Sequence, residues 1–221
     1  MKAGVDAYPN IPLLKQIKAK ANQLSIPTQM MRMMKDRSLQ LAFIDTENDA
    51  PLKSSPDQRW TASYCKELSI WTQSSQKWIH LDFNMDEMKQ ENTECRLQQM
   101  FDLFQTKFEN PHTFVIYNST EKTIILDLYK HFKTRCPHSF YDLYNNLMKD
   151  LVQDQDQDCP NKLYCHLTKL TVLMKYWYEG TQESIPREIP LKTTPGNRRK
   201  SQLDVCYTFA IWDAINKYVV Q

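Results

Sequence analysis

The 221-residue chain contains only three glycines, Gly4, Gly180 and Gly196. Loops that cradle phosphate need glycine so that backbone N–H groups can close on the ligand. None of the three stands between a strand and a helix with a second glycine nearby, which excludes Walker and Rossmann nucleotide sites. Hydrophobic residues make up 41% of the chain and charged residues 24%. That balance lets it bury enough apolar surface to offset the entropy of ordering its backbone. The length suits one domain or two closely packed lobes, and no internal repeat is evident.

Lysine and arginine total 28 against 26 acidic residues, a net charge of +2. Contact with a polyanion or a membrane surface would therefore need a local basic patch. The segment from Met1 to Leu24 interleaves apolar residues with Lys15, Lys18 and Lys20 and lacks the uninterrupted apolar core of a signal peptide. No stretch approaches the ~20 apolar residues of a membrane span. The expectation is a soluble, cytoplasmic protein, with a nuclear location left open. Cys65, Cys95, Cys136, Cys159, Cys165 and Cys206 are scattered along the chain. Without export signals they read as free thiols, and by the same logic the sequon at Asn118 to Thr120 stays unglycosylated.

Leu13, Leu14, Ile17, Ala21 and Leu24 predict a helix over about 11–24, stopped by Pro27. Leu39 to Ile44 predicts a strand, and the polar run Asp45 to Arg59, with Pro51 and Pro56, a loop. Two strands follow between Lys66 and Phe83, joined by Gln73 to Gln76. The apolar spacing Leu97, Met100, Phe101, Phe104, Phe108 predicts a helix over about 86–108, ended by Asn110 and Pro111. The β-branched segments Thr113 to Tyr117 and Thr123 to Tyr129 read as a strand pair around Asn118, Ser119 and Thr120. Helices are predicted at Phe140 to Leu151, Leu163 to Tyr178 and Leu203 to Val219. The class is α+β: a lobe with a mixed sheet and helices over 1–135, and a helical lobe over 136–221, packed as one unit.

The run Leu170-Thr171-Val172-Leu173-Met174-Lys175-Tyr176-Trp177-Tyr178 resembles a helix of the 2′-5′-oligoadenylate synthetases, members of the polymerase-β-type nucleotidyltransferases. Pro137 to Tyr141 with Leu143 and Leu147 resembles a helix opening of that family, and Thr208 with Trp212 and Asp213 a later one. Ser63-Tyr64-Cys65-Lys66 is similar to its Gly-Ser-x-Gly-Lys turn. The resemblance implies a nucleotidyltransferase fold in which Ser63, Lys66 and Lys175 meet a nucleotide. Its Asp-x-Asp pair would fall on Ser75 and Lys77, and its third aspartate on Ile124, with Asp127 three residues away on the same strand. A lysine about 4 Å from a divalent ion would repel it by about 8 kcal/mol at an effective dielectric of about 20. Nucleotidyl transfer needs two such ions held by carboxylates.

The resemblance therefore implies a catalytically degenerate protein with no catalytic residue and no cofactor, acting in innate antiviral response by binding double-stranded RNA or a protein partner. Arg198, Arg199, Lys200 and Lys162 are the candidate RNA contacts, since RNA duplexes are held by shape and backbone contacts. Two alternatives stay open: an active magnesium-dependent nucleotidyltransferase using Asp82, Asp86 and Asp127, and a helical protein-interaction module. Lys175 equally reads as a solvated lysine beside a core tryptophan.

Other constellations carry less chemistry. Asp154, Asp156 and Asp158 are spaced like a calcium loop, but Cys159 and Cys165 stand where that loop needs glycine and glutamate, leaving a solvated acidic loop. Cys136, His138, Cys159 and Cys165, with His166, could supply a zinc site, although no Cys-x-x-Cys pair is present. His80 and Asp82 with Cys65 or Ser63 offer the residue types of a nucleophile triad without a glycine-flanked elbow. Trp60, Trp71, Trp78, Trp177 and Trp212 read as core.

Overall fold

The structure, a computed structural model, describes residues 19, 32–33, 40–48, 61–83, 90–148 and 200–216. The chain divides into two compact units. One comprises Leu39–Asp142 with Arg198–Val205, the other Met1–Ser38, Leu143–Asn197 and Cys206–Gln221.

The first unit is built on a five-stranded sheet of β1 (Gln40–Asn48), β2 (Cys65–Thr72), β3 (Lys77–Asp82), β4 (His112–Ile116) and β5 (Ser139–Asp142). The strand order is β3-β2-β1-β4-β5. β2 runs antiparallel to both neighbours, whereas β1, β4 and β5 are parallel. The fold is thus α+β with a mixed sheet. Helices α1 (Gln90–Lys107) and α2 (Thr120–His131) supply the crossovers that parallel pairing requires.

Side chains alternate across a strand, so the sheet has two faces of different character. One carries Ala42, Ile44, Leu68, Ile70, Phe114 and Ile116, which form a continuous core with Leu97, Met100 and Phe104 of α1 and Ile124, Ile125 and Leu128 of α2. The rings of Phe104, Phe108 and Phe114 meet at centroid distances of 5.3 to 5.9 Å. Each such fully buried ring contributes about 1.5–3 kcal/mol. The other face runs in three cross-strand rows: Phe43, Trp71 and Trp78; then Asp45, Ser69 and His80; then Glu47, Glu67 and Asp82.

The hairpin between β2 and β3 falls where the sequence predicts it. Gln76 takes a left-handed φ of 52° there, and the Thr72 and Ser75 hydroxyls hydrogen-bond across the turn. Two segments differ from the sequence expectation. Thr123 to Tyr129 is not a strand but lies within α2: Asn118 Oδ1 accepts the Thr120 N–H at 2.9 Å, and the buried residues Ile124, Ile125, Leu128 and Tyr129 recur at helical spacing. Phe140 to Leu151 is not one helix. It opens with β5, whose Phe140 and Tyr141 pair with Phe114 and Val115, and continues in a π-helical turn, Tyr144–Met148. β1 extends to Asn48, into the predicted loop.

Helix α3 (Lys200–Ile215) corresponds to the predicted C-terminal helix. In the second unit, Cys206, Thr208 and Trp212 of this helix, and Asn216 directly after it, are buried. Of the predicted helix over 11–24 only Ala19 is described, in helical conformation, and the predicted helix over 163–178 lies outside the described residues. No described helix is long and apolar enough to cross a membrane.

Candidate metal centre

In open α/β sheets, ligands bind beyond the carboxyl ends of the strands, where the strand order reverses. Here the chain leaves β1 for β2 and β3, then returns through α1 to β4 on the other side. The reversal therefore lies between β1 and β4. β1 begins apolar, with Ala42, Phe43 and Ile44 buried, and ends in Asp45, Thr46, Glu47 and Asn48. Asp45 and Glu47, two apart, share the face opposite α1 and α2. A β-bulge follows directly: Glu47 pairs with Glu67 but Asn48 with Cys65, so Lys66 is the extra residue.

The first turns of α3 bring Asp204 to this face. One ligand oxygen from each of Asp45, Glu47 and Asp204 lies within 4.8 Å of the others, and all three residues are half-buried. Hard divalent cations bind oxygen at ~2.0–2.6 Å, so oxygens on opposite sides of one ion stand ~4–5 Å apart, the spread seen here.

A fourth carboxylate adds to the case. Glu121, in the first turn of α2, is only 4% exposed, and among the described residues its Oε2 has no hydrogen-bond partner. Burial, then the neighbouring Asp142, Asp204 and Glu47, push its carboxyl well above the usual carboxylate range. Glu121 is not one of the carboxylates that meet within 4.8 Å; it is a buried acidic neighbour of that trio.

Beside the trio, the Ser201 hydroxyl donates to Glu67 Oε2 at 3.1 Å. Ser201 Oγ also lies 2.7 Å from Ser69 Oγ, which lies 2.8 Å from His80 Nδ1. Ser69 and Ser201 are fully buried.

Ser63 lies in a 3-10 turn, Ala62–Tyr64, that is held by its own framework. Its hydroxyl bonds Thr61 Oγ1 at 2.9 Å, its carbonyl accepts from Arg96 Nη2 at 2.8 Å, and the Ala62 N–H donates to Asp127 Oδ2 at 2.9 Å. Asp127 is therefore a helix residue that ties down this turn, not a carboxylate on a strand. Ile124, where the third aspartate was expected, is in the apolar core. Ser75 sits in the hairpin turn, and Lys77 is exposed at the start of β3, at the end of the sheet away from the carboxylates.

Lys66 is exposed at the bulge and Asp82 at the end of β3. Lys200 is the first residue of α3. Asp86, Lys162, Lys175, Arg198 and Arg199 lie outside the described residues.

His138 does not offer zinc a free nitrogen. Its Nδ1 accepts the His112 N–H at 3.3 Å, and its Nε2 therefore carries the proton shared with Tyr129 Oη at 2.9 Å. Burial, aided by His112, lowers its pKa to about 4 and keeps it neutral. Cys65, Cys95, Cys136 and Cys206 are free thiols, while Cys159 and Cys165 lie outside the described residues. Burial pushes the Cys65 thiol up to about 12, so it is no nucleophile.

Sequence reasoning missed Asp45, Glu47, Glu121 and Asp204. The available signal was the Asp-x-Glu alternation at the carboxyl end of an apolar strand. Compared with models of known protein families, with curated proteins and with solved structures, the chain matches none.

Proposed function

We propose that this chain belongs to the enzymes that use divalent cations for phosphoryl chemistry, with Asp45, Glu47 and Asp204 as its cation ligands and the buried Glu121 as an acidic neighbour. Within that class the reaction is hydrolysis of a phosphodiester in a nucleic acid. The observation that carries this reading is the convergence of three carboxylates within 4.8 Å, beside a buried fourth, at the reversal point of the sheet. Oxygen-only ligand sets suit magnesium and manganese, which protein carboxylates hold together with substrate phosphates. A cation held there would lower the pKa of a bound water and offset the phosphate charge. In such a hydrolysis the water oxygen would bond to phosphorus as the ester P–O bond breaks, and the proton lost by the water would end on the departing oxygen.

Hydrolysis fits better than nucleotidyl transfer because the turn at Ser63, which the resemblance assigns to a triphosphate, has its hydroxyl, its carbonyl and one N–H already engaged. The sequence also places Arg198, Arg199 and Lys200 shortly before Asp204, where basic side chains suit a polyanion.

The test is cleavage of end-labelled single-stranded and duplex oligonucleotides with manganese, magnesium or a chelator. Cleavage is expected with the metals and absent with the chelator. Asp45→Asn and Asp204→Asn should each lower it by more than about 100-fold, since even outer-shell changes cost up to that. Lys77→Ala should leave it unchanged. No cleavage by the unaltered protein, or undiminished cleavage by Asp45→Asn, would overturn the reading. Salt-sensitive binding of double-stranded RNA without cleavage would instead support a degenerate oligoadenylate-synthetase-like protein.

A further inference from the structure

The chain of hydrogen bonds beside the carboxylates has only one consistent direction. Ser201 gives its single hydroxyl proton to Glu67 Oε2. Toward Ser69 it can therefore only accept, so Ser69 donates to it. Ser69 has then used its own proton and must accept from His80, whose Nδ1 therefore carries a proton. Its Nε2 has no hydrogen-bond partner among the described residues. The edge strand, the strand beside it and helix α3 are thus joined by three directed bonds.

This linkage sits where it controls the helix. Ser201 and Asp204 are three residues apart, so they project from the same face of α3 about one turn apart. Ser201 is seated on β2 between Glu67 and Ser69, whose cross-strand partners on β1 are Glu47 and Asp45. With Ser201 fixed over β2, Asp204 falls against the two carboxylates of β1. Apolar residues at 69 and 201 would pack without the desolvation penalty of two buried hydroxyls, but they would let the helix slide.

We propose that Ser69 and Ser201, oriented by His80, form a clasp that fixes the first turn of α3 on the sheet and so positions Asp204 as a cation ligand. The positioning role rests on the metal-centre reading above. The clasp itself does not. None of the three residues touches the cation or the substrate; they are positioning residues.

The test uses the full chain and two readouts on Ser201→Ala, Ser69→Ala, His80→Leu and His80→Asn. The first is amide hydrogen exchange of Gln202 to Val205 without metal. The second is manganese affinity by calorimetry. The alanine and leucine variants should speed exchange in this turn by about 10-fold or more, leave Ala42 to Ile44 of β1 unchanged, and weaken manganese binding by about 10–100-fold. His80→Asn, which keeps a donor for Ser69, should stay close to the unaltered protein in both. Unchanged exchange in the variants that fold would overturn the clasp, and a lower melting temperature with unchanged manganese affinity would overturn the positioning role. If Ser201→Ala fails to fold, Ser69→Ala and His80→Leu break the same linkage from the sheet side. If the unaltered protein binds no manganese, the metal-centre reading fails and Asp204 is not positioned for a cation, while exchange still decides the clasp.

Discussion

Glu121 sits in the first turn of a helix, where the positive end of the helix dipole favours a charged carboxylate. Its burial and its acidic neighbours act in the opposite direction and win, raising its pKa. The folded state therefore holds this proton more tightly than the unfolded chain does. The stability it confers is complete below the ordinary value of 4.5 and is lost as the pH climbs from there through the raised value. A glutamine keeps the shape and removes the titration. For metal-free Glu121→Gln we expect a melting temperature unchanged at pH 4 and higher by roughly 2–6 °C at pH 8, together with weaker manganese binding. Thermal unfolding followed by circular dichroism in chelator checks this, and a fall at pH 8 would remove Glu121 from the centre. His138 shows the opposite solution: its two nitrogens are both engaged, so burial simply leaves it neutral.

At the scale of elements, the β2–β3 hairpin turns without glycine, and Gln76 holds φ 52° instead. Left-handed backbone costs a residue with a Cβ about 1–2 kcal/mol, and part of that is recovered by glycine despite its looser unfolded state. Gln76→Gly should raise stability by about 0.5–1 kcal/mol in urea unfolding, with no change in manganese affinity. This hairpin was legible because alternation and a polar four-residue gap both pointed to it, and α1 because five apolar residues kept helical spacing up to Asn110. α2 was not, because Thr123, Ile124 and Ile125 carry strand propensity that the packing of Ile124, Ile125, Leu128 and Tyr129 overrides. β5 is too short for alternation to distinguish it from the helical spacing that follows Pro137. The metal centre was hidden for a related reason. Asp45 and Glu47 look like the start of a polar loop unless β1 is known to continue to Asn48, and no local pattern links them to Asp204.

For the whole molecule, the proposed cation centre would link folding to cation binding. A cation that binds only the folded chain stabilises it by about 2.7 kcal/mol at 100 times its dissociation constant. That should raise the melting temperature by roughly 5–10 °C. Manganese and magnesium should do this and an equal ionic strength of sodium should not, and Asp45→Asn should lose the effect. Scanning calorimetry with the chloride salts decides it, and an equal shift with sodium would point to general screening of charge.

The clasp between Ser69 and Ser201 joins residues 132 positions apart. During synthesis at about 5–20 residues per second, the strand that carries Ser69 therefore leaves the ribosome roughly 7–26 s before the helix turn that completes the centre. Through that interval the nascent chain has Asp45 and Glu47 but not Asp204. On the proposed reading, the centre stays incomplete until the last segment of the sheet unit docks.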